Sequence, residues 1–555
     1  MKQIKYIIFG LTCLLLASCQ KGFLDRKMTT DFVENQVFNS YSRIRDFGIG
    51  MYTYVPTGYN RIDGAMIASA SDEAEFAYTG SSIQKYNIGS WSPYSNPDEC
   101  WNYYYSGIRS TNMFLEKSVN YKAIIYRDTI TVTGKQSYKV QVADLTYLRA
   151  EARFLRAMFY FELNKRYGGV PIITKTLTIE DDLKLPRNSY EEVVNFITSE
   201  CDGAISDGLI EKWEGVDDKS AGRATKGAAL ALKSRVLLYA ASPQNNPAND
   251  KSKWVAAAAA ANQVIALKQY ALFNNYRNLF LPPNTYKSTE VIFARRDGAG
   301  NGFERANYPI GYEGGTSGTC PSANLVDSYE KLTGWDATKP YDKRDPRLQL
   351  SILVNNTTWK GRPVECWTGG KDGKGKDRAT KTGFYMKKYV DESLDLLTDK
   401  TSIHCWILFR YGETLLNYAE SMNEAYGPNS DPSGYGITAV GAINMVRQRP
   451  GVVLPAIATT ITYADFKMAI MNERRVELAF EEHRYWDVRR WKIAEQTLGA
   501  PLMGVEIIKN ADATFTYNPI EVEKRVFVAK MYMYPIQQNE ILKSNGKLIQ
   551  NPGWN

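Results

Sequence analysis

The sequence has few of the side chains that most metal sites and catalytic triads need. Only two of its 555 residues are histidines, His404 and His483. Two histidines leave little for a His-based zinc site or a Ser-His-Asp relay. Both lie in apolar or ion-pairing surroundings, so we interpret them as structural side chains. We therefore predict that the protein has no cofactor, no metal site and no catalytic histidine.

Cysteine is equally uninformative about chemistry. The seven cysteines form no Cys-x-x-Cys pair, and two of them, Cys13 and Cys19, lie at the N-terminus. The other five are an odd number at wide spacing, which is not the pattern of a disulfide framework. One bridge is compatible with an oxidising compartment, and Cys320–Cys366 is one such pairing. The sequence leaves the pairing open.

Long apolar runs and basic blocks are also missing. Nothing after residue 20 is apolar over the ~18 residues that a spanning helix requires. The net charge is +8, but no block of five or more basic residues occurs, so nucleic acid is a poor candidate partner. Aromatic residues are abundant instead, with 37 Tyr and 11 Trp. Their flat apolar faces and hydrogen-bonding tips suit sugars, although most of them must belong to the core.

The N-terminus resembles an export signal. Lys2 and Lys5 precede an apolar stretch that is too short to cross a bilayer, and Leu16-Ala17-Ser18-Cys19 closes it. This closing sequence looks like a bacterial lipobox, in which the leader is cut before a cysteine that then carries lipid. We predict a signal peptide at residues 1–18 and a lipid anchor on Cys19. The alternative is an ordinary secretory signal followed by an incidental cysteine.

Helical periodicity is clearest between Asp144 and Tyr167. Apolar residues recur there on one face, Asp144 stands at a capping position, and Gly168-Gly169 ends the helix. Further helices are predicted at 40–54, 101–120, 190–205, 225–241, 253–267, 409–425, 439–447 and 463–491. Residues 295–400 lose this periodicity and are rich in Gly, Asn, Thr, Tyr and Trp, which is typical of functional loops. The tail after residue 500 reads as loops and short strands.

Three segments resemble the SusD/RagB family of outer-membrane nutrient-binding lipoproteins. They are Tyr147–Leu163 with its continuation to Pro171, Gly222–Pro243, and Glu473–Trp491. Shorter matches, in addition to the lipobox, are found at Phe23–Asp25, Arg410–Glu420, Tyr534–Ile536 and Gln550–Trp554. Together they extend over nearly the whole chain in the expected order. One departure is Gln20-Lys21-Gly22 after Cys19, where many surface lipoproteins carry acidic residues.

The resemblance implies a fold and a function. The fold would be mainly α, a tetratricopeptide-like scaffold of helical hairpins with an irregular, loop-rich, ligand-facing region. We expect an N-terminal helical region at 19–290 and a C-terminal region with the ligand loops at 291–555. The protein would sit on the cell surface at the outer membrane. There it would bind an oligosaccharide or polysaccharide and deliver it to a SusC-like TonB-dependent transporter without catalysis.

Candidate ligand residues are aromatic side chains expected to be exposed in two loop regions, with polar neighbours. Trp101 is left out because it begins a helix and is interpreted as core. Asp72 is kept as a candidate acceptor of hydroxyl protons, although a solvated carboxylate is the simpler interpretation. The candidates are Asp72, Trp91, Tyr94, Asn96, Tyr308, Tyr312, Trp335, Trp359 and Trp367.

Two other interpretations remain open at this point. Some relatives capture peptides, so a RagB-like peptide-binding lipoprotein is one alternative. A glycoside hydrolase is the other, and it would need two carboxylates about 5–10 Å apart in a cleft. We interpret four charged residues as members of ion pairs that hold helices together: Glu473, Arg475, Glu477 and Arg484. Removing one partner of a buried pair costs several kcal/mol, so substitutions there should destabilise the folded protein.

Overall fold

The structure is a computed structural model, and it describes residues 34–213 and 222–554. The predicted signal peptide and Cys19 lie outside these residues. Helices dominate the described part. In chain order they are α1 Glu34–Val37, α2 Tyr41–Gly50, α3 Gln84–Asn87, α4 Trp101–Lys117, α5 Tyr121–Ile124, α6 Val132–Tyr167, α7 Tyr190–Ser206, α8 Lys226–Ala241, α9 Lys251–Ala266, α10 Asn284–Lys287, α11 Gly302–Asn307, α12 Ala323–Val326, α13 Arg347–Ser351, α14 Tyr411–Tyr426, α15 Ala439–Arg447, α16 Tyr463–Glu477, α17 His483–Arg490, α18 Ala494–Thr497 and α19 Gln538–Lys543.

The strands are short and form two-stranded antiparallel ladders. The ladders pair β1 with β3, β2 with β8, β4 with β7, β5 with β6, and β9 with β10. The strands are β1 Ala74–Phe76, β2 Val291–Gly300, β3 Thr319–Pro321, β4 Ile352–Leu353, β5 Thr358–Trp359, β6 Arg362–Pro363, β7 Tyr385–Met386, β8 Ser402–Arg410, β9 Leu502–Lys509 and β10 Phe515–Glu523.

The long helices form a continuous series in which each packs on the next. Helix α4 packs on α6, and the contacts then run from α6 through α7, α8 and α9 to α14, which also contacts α15 and α16. A run of six alanines, Ala256–Ala261, lies in α9. Ala257, Ala258, Ala260 and Ala261 of this run are buried, and α9 packs against both α8 and α14. The prediction of a mainly α, tetratricopeptide-like scaffold is confirmed.

Helix α6 has the predicted apolar face but begins twelve residues earlier than expected. Leu145, Leu148 and Phe159 are fully buried, and Gly168 ends the helix with φ of 75°. Its N-cap is Thr131, whose side chain accepts a hydrogen bond from the Gly134 amide, and Asp144 is not a cap. Periodicity missed the first turns because their side chains are mostly exposed and carry no apolar stripe.

The charged segment at 463–491 is two helices and not one. It breaks after Glu477, where Phe480 and Glu482 take left-handed backbone conformations with φ of 63° and 65°. This turn brings the carboxylates of Glu477 and Glu481 to the Arg410 guanidinium, at 2.8 and 2.7 Å. Satisfying buried charges therefore overrides the helix-forming preference of the segment.

Ion pairs occupy the positions where the sequence predicts them. Glu473 pairs with Arg347, and Glu477 pairs with Arg347, Arg410 and Arg449. Glu477 is fully buried. Burial alone would raise its pKa, but the surrounding guanidinium groups outweigh burial and hold the pKa well below its usual range.

The region between β2 and β8 is irregular, as predicted, apart from short helices and strands. The β2–β8 ladder that encloses it was missed, and residue Phe409 lies in β8 opposite Phe293, so helix α14 starts only at Tyr411. Within the described residues the five cysteines outside the N-terminal region are buried free thiols, so the Cys320–Cys366 bridge is not formed. No helix at 34–213 or 222–554 is long and apolar enough to cross a bilayer.

Candidate functional site

Three of the predicted aromatic residues meet in one cluster inside the irregular region. The ring centroids of Tyr308 and Tyr312 lie 4.8 and 4.7 Å from that of Trp359. The Tyr308 hydroxyl donates to the Asp391 carbonyl at 2.6 Å, and the Tyr312 hydroxyl donates to the Trp359 carbonyl at 2.8 Å. All three rings are buried. The expectation that their ring faces are exposed is therefore wrong. The rings pack on one another, and the two tyrosine hydroxyls bind carbonyl groups of the surrounding loops.

A cavity of about 390 Å³ opens beside this cluster. Tyr308, Tyr312 and residues 394–397 are in its wall. The Arg362 guanidinium lies 3.6 Å from the Tyr312 ring centroid. The Lys360 ammonium lies 5.1 Å from the Tyr308 centroid and donates to the Glu392 and Leu394 carbonyls. Glu313 and Asp395 add carboxylates, so the cavity offers both donors and acceptors of hydrogen bonds.

Asp372 fixes the geometry of this cavity. Its side chain is fully buried and pairs with Arg362 through two contacts of 2.6 and 2.9 Å. The same carboxylate accepts the amide hydrogens of Gly311 and Glu365. A bidentate pair of this kind is both strong and directional. The Arg362 side chain is thereby held over Tyr312 before any ligand arrives.

Tyr78 is an exposed aromatic residue that the sequence analysis missed. Its side chain is 48% exposed, and the Arg378 guanidinium lies 5.0 Å from its ring centroid. Tyr78 follows β1, and the neighbouring Ala77 amide donates to the Gly318 carbonyl at the end of the Tyr308–Gly318 loop. The sequence signal was a tyrosine next to the turn-forming Thr79-Gly80, which is too weak to single it out.

The first predicted cluster does not form a ligand surface. Trp91 is only 3% exposed, and its ring packs against Tyr86, Tyr534 and Trp554 with centroid distances of 4.9, 5.2 and 4.6 Å. The prediction that Trp91 is exposed is wrong because the C-terminal segment folds back over it. Asn96 accepts hydrogen bonds from the Tyr86 hydroxyl and the Asp98 amide.

Tyr94 alone in that cluster presents its ring to solvent, at 81% exposure. Trp335 and Trp367 are half-buried and do not line the cavity. The Trp335 indole N–H donates to the Pro340 carbonyl, and the Lys331 ammonium lies 3.9 Å from its ring centroid. Trp367 packs on Phe515 at 5.3 Å between ring centroids.

Asp72 is neither solvated nor available to a ligand. It is buried, accepts two hydrogen bonds of 2.8 Å from Arg484, and lies 2.8 Å from the Arg475 guanidinium. Burial would raise its pKa, but the two arginines outweigh burial and hold the pKa below its usual range. The expectation that Asp72 binds ligand hydroxyls is wrong, because its buried carboxylate is engaged by Arg475 of α16 and Arg484 of α17.

A second cavity, of about 560 Å³, lies on α4 and is mainly apolar. Trp101 and Tyr105 are in its wall. Asn112 donates to the Ile173 and Lys175 carbonyls, so its amide group fastens the loop that closes the cavity. Trp101 is buried, as predicted.

The two histidines are buried in charged surroundings. His404 lies 2.9 Å from Glu304. Burial lowers the pKa of His404, but the hydrogen bond to Glu304 outweighs burial and leaves the pKa above its usual value. Burial and the nearby arginines place the pKa of His483 well below its usual value. In the part of the chain that the structure describes, no group of three or more His, Cys, Asp and Glu side chains is placed to hold a metal ion.

Family models match both halves of the chain. The model described as the SusD family matches residues 289–554, and one described as starch-binding associating with outer membrane matches residues 22–238. SusD-like protein P38 of Formosa agariphila is 27% identical over 409 residues, which cover 69% of this chain and 73% of that protein. A SusD-like protein of Bacteroides ovatus is 24% identical over 88% of this chain and 82% of its own length.

Solved structures share the fold. A SusD-like protein of Bacteroides fragilis superposes with a TM-score of 0.76 at 27% identity and covers 94% of this chain and 98% of its own. A second protein of that species, described as a SusD-like carbohydrate binding protein, gives a TM-score of 0.74 at 25% identity over 92% of this chain and 99% of its own. With matches over both halves and a common fold, the chain belongs to the SusD/RagB family.

Proposed function

We propose that this protein is a cell-surface lipoprotein that binds an oligosaccharide and delivers it, chemically unchanged, to a SusC-like TonB-dependent transporter. Family membership supports this proposal, as does a relative described as carbohydrate binding. The predicted lipid anchor on Cys19 and the family description of association with the outer membrane support the location.

The observation that carries the proposal is the cavity beside Tyr312 and Arg362. A sugar presents apolar C–H faces ringed by hydroxyl groups, so its site needs flat side chains together with both donors and acceptors. The cavity supplies donors from Lys360 and Arg362 and acceptors from Glu313 and Asp395. The exposed ring of Tyr78 supplies a stacking face on the adjoining loop.

Affinity electrophoresis against a panel of soluble polysaccharides tests binding, and isothermal titration with the retarding glycan gives the affinity. We expect Glu313→Ala and Tyr78→Ala each to weaken binding about five- to tenfold, which is roughly 1–1.4 kcal/mol. Both side chains are largely exposed, so the melting temperature should stay unchanged. Tyr103→Ala, which removes a tyrosine of similar exposure (42%) elsewhere, is the matched control.

The same experiment separates the rival functions. Release of reducing ends from a bound glycan would indicate a glycoside hydrolase, and binding of peptides alone would indicate a RagB-like peptide receptor. Retained affinity in both Glu313→Ala, in the cavity, and Tyr78→Ala, on the adjoining loop, would contradict the assigned site. That Trp335 contacts the ligand stays a prediction. Its test is the affinity of Trp335→Ala in the same titrations.

The transporter is tested separately. Affinity purification of the full-length, lipid-anchored protein from membranes should recover a TonB-dependent barrel encoded beside it. The proposed delivery step would be contradicted if the purified protein carried no such barrel while it still bound glycan.

A further inference from the structure

A segment at residues 119–141, here called the arm, lies on the outside of the helical scaffold and is anchored to it by the buried side chain of Ile125. It contains α5 and the first turns of α6. Its apolar side chains Tyr126, Ile130 and Val132 are 85, 88 and 85% exposed. Three such side chains within seven residues give the arm an unusually apolar exposed surface, and surfaces of this kind are candidates for interaction sites. The cavity proposed for glycan does not include any residue of the arm.

The arm is held in one conformation by local hydrogen bonds. Asp128 accepts the amide hydrogens of Ile130 and Thr131 at 2.8 and 3.1 Å. Thr131 in turn caps α6 through the Gly134 amide. The Arg127 guanidinium lies 5.7 Å from the Tyr138 ring centroid. The exposed apolar residues are therefore displayed by an ordered turn.

The arm is also basic. It carries Lys122, Arg127, Lys135 and Lys139 but a single acid, Asp128, so its net charge is +3. Asp128 keeps its charge, and the four basic side chains outnumber it, so the surface potential of the arm is positive. Basic residues around exposed Tyr, Ile and Val are the composition of segments that lie at an anionic membrane surface.

The base of the arm lies where the predicted lipid tether reaches the scaffold. Glu34, the first described residue, pairs with Lys117 at 2.5 Å, two residues before the arm begins. At the other end of the arm, Asp144 accepts a hydrogen bond from the Tyr41 hydroxyl and lies 3.3 Å from Arg45. The predicted lipidated cysteine, Cys19, lies fifteen positions before Glu34, and a stretch of that length spans at most about 50 Å. The tether therefore starts beside the arm.

We propose that the arm rests on the anionic surface of the membrane to which the chain is tethered, with Ile130 and Val132 in the headgroup region and the lysines against the headgroups. This proposal depends on the membrane location in the proposed function but not on glycan binding. Such a contact would fix the orientation of a protein that is otherwise attached through a single chain.

Vesicle co-sedimentation tests the arm without its lipid. The chain from residue 19 with Cys19→Ala is mixed with phosphatidylcholine vesicles, with and without phosphatidylglycerol. We expect binding only to the anionic vesicles. Ile130→Asp with Val132→Asp, or Lys135→Glu with Lys139→Glu, should reduce it about tenfold. Met468→Asp with Val453→Asp, and Lys251→Glu with Lys268→Glu, make the same charge changes at exposed sites outside the arm and should have no effect.

Three results would overturn the proposal. They are no binding to anionic vesicles, equal binding to neutral vesicles, and binding that neither pair of arm variants reduces. Loss of transporter association in the arm variants, with vesicle binding intact, would assign the arm to a protein partner and would also overturn it. Unchanged melting temperatures would show that the arm variants fold. Unchanged glycan affinity in the same variants would show that only the proposal for the arm has failed and that the proposed glycan binding stands.

Discussion

Glu73 is expected to keep its proton at neutral pH, and the stability of the protein should report this. The side chain is 1% exposed. One carboxyl oxygen has no hydrogen-bond partner among the described residues, and the other is 3.4 Å from the Phe480 amide nitrogen. Burial, followed by the charge of the adjacent Asp72, raises the pKa of Glu73 from 4.5 to about 8.

The magnitude follows from this pKa difference. One pKa unit corresponds to about 1.36 kcal/mol, so the full shift amounts to at most about 5 kcal/mol. Relaxation and water entry reduce such figures in real proteins, and about 2–3 kcal/mol is a realistic expectation.

The sign of the effect is fixed by where the proton is bound. Between pH 4.5 and 8 the folded protein keeps the Glu73 proton while the unfolded chain releases it, so the free energy of unfolding falls as the pH rises. The contribution of Glu73 is fully present below pH 4.5 and is lost as the pH passes through about 8.

The substitution Glu73→Gln removes the titrating group and keeps its shape. We expect urea denaturation to show that Glu73→Gln gains about 2–3 kcal/mol of stability relative to wild type between pH 5 and pH 9. Glu180→Gln, at an exposed glutamate, is the control and should show no such change. A difference between Glu73→Gln and wild type that stays constant with pH would refute the reasoning, since it would mean that Glu73 is ionised in the folded protein throughout.

Three further substitutions test the packing. Trp91→Ala should lower the free energy of unfolding by about 3–5 kcal/mol, because the ring is buried, and a small change in melting temperature would show that it is not core. Arg410→Met should cost about 3–5 kcal/mol in urea denaturation, because it removes one buried positive charge that Glu290, Glu477 and Glu481 share; a loss under 1 kcal/mol would contradict this. Ala258→Leu should cost about 1–3 kcal/mol by overpacking α9, and a calorimetric melting temperature equal to wild type would mean that the helices can separate.

The sequence predicted the parts of the fold whose signal is local. The α6 face was visible because Leu145, Leu148 and Phe159 recur at the helical period and all face the core. The Ser189 cap of α7 was predictable for the same reason, since a capping box uses residues three apart. The first turns of α6 were missed because an exposed helix carries no apolar stripe.

Exposure of aromatic residues could not be predicted in this way. Trp91 lies between Ser and Gly residues and looks like a loop residue, yet Tyr534 and Trp554, more than 440 positions away, cover its ring. Tyr312 likewise follows Gly311 and is covered by Trp359 and Arg362. Whether a ring is exposed to solvent depends on which distant segment packs onto it. The residues that flank the ring in the sequence do not show this.

The buried charges connect the predictable scaffold to the unpredictable loops. Glu473 and Glu477 on α16 hold Arg347, and Glu481 holds Lys388 at 2.7 Å. Arg347 and Lys388 both belong to the irregular region that forms the cavity. Since separating such buried pairs costs several kcal/mol, these contacts fix the ends of the loops while their exposed tips are free to differ in sequence. Substitution of the α16 carboxylates should therefore weaken ligand binding only by loosening the loops, and loss of stability should accompany it.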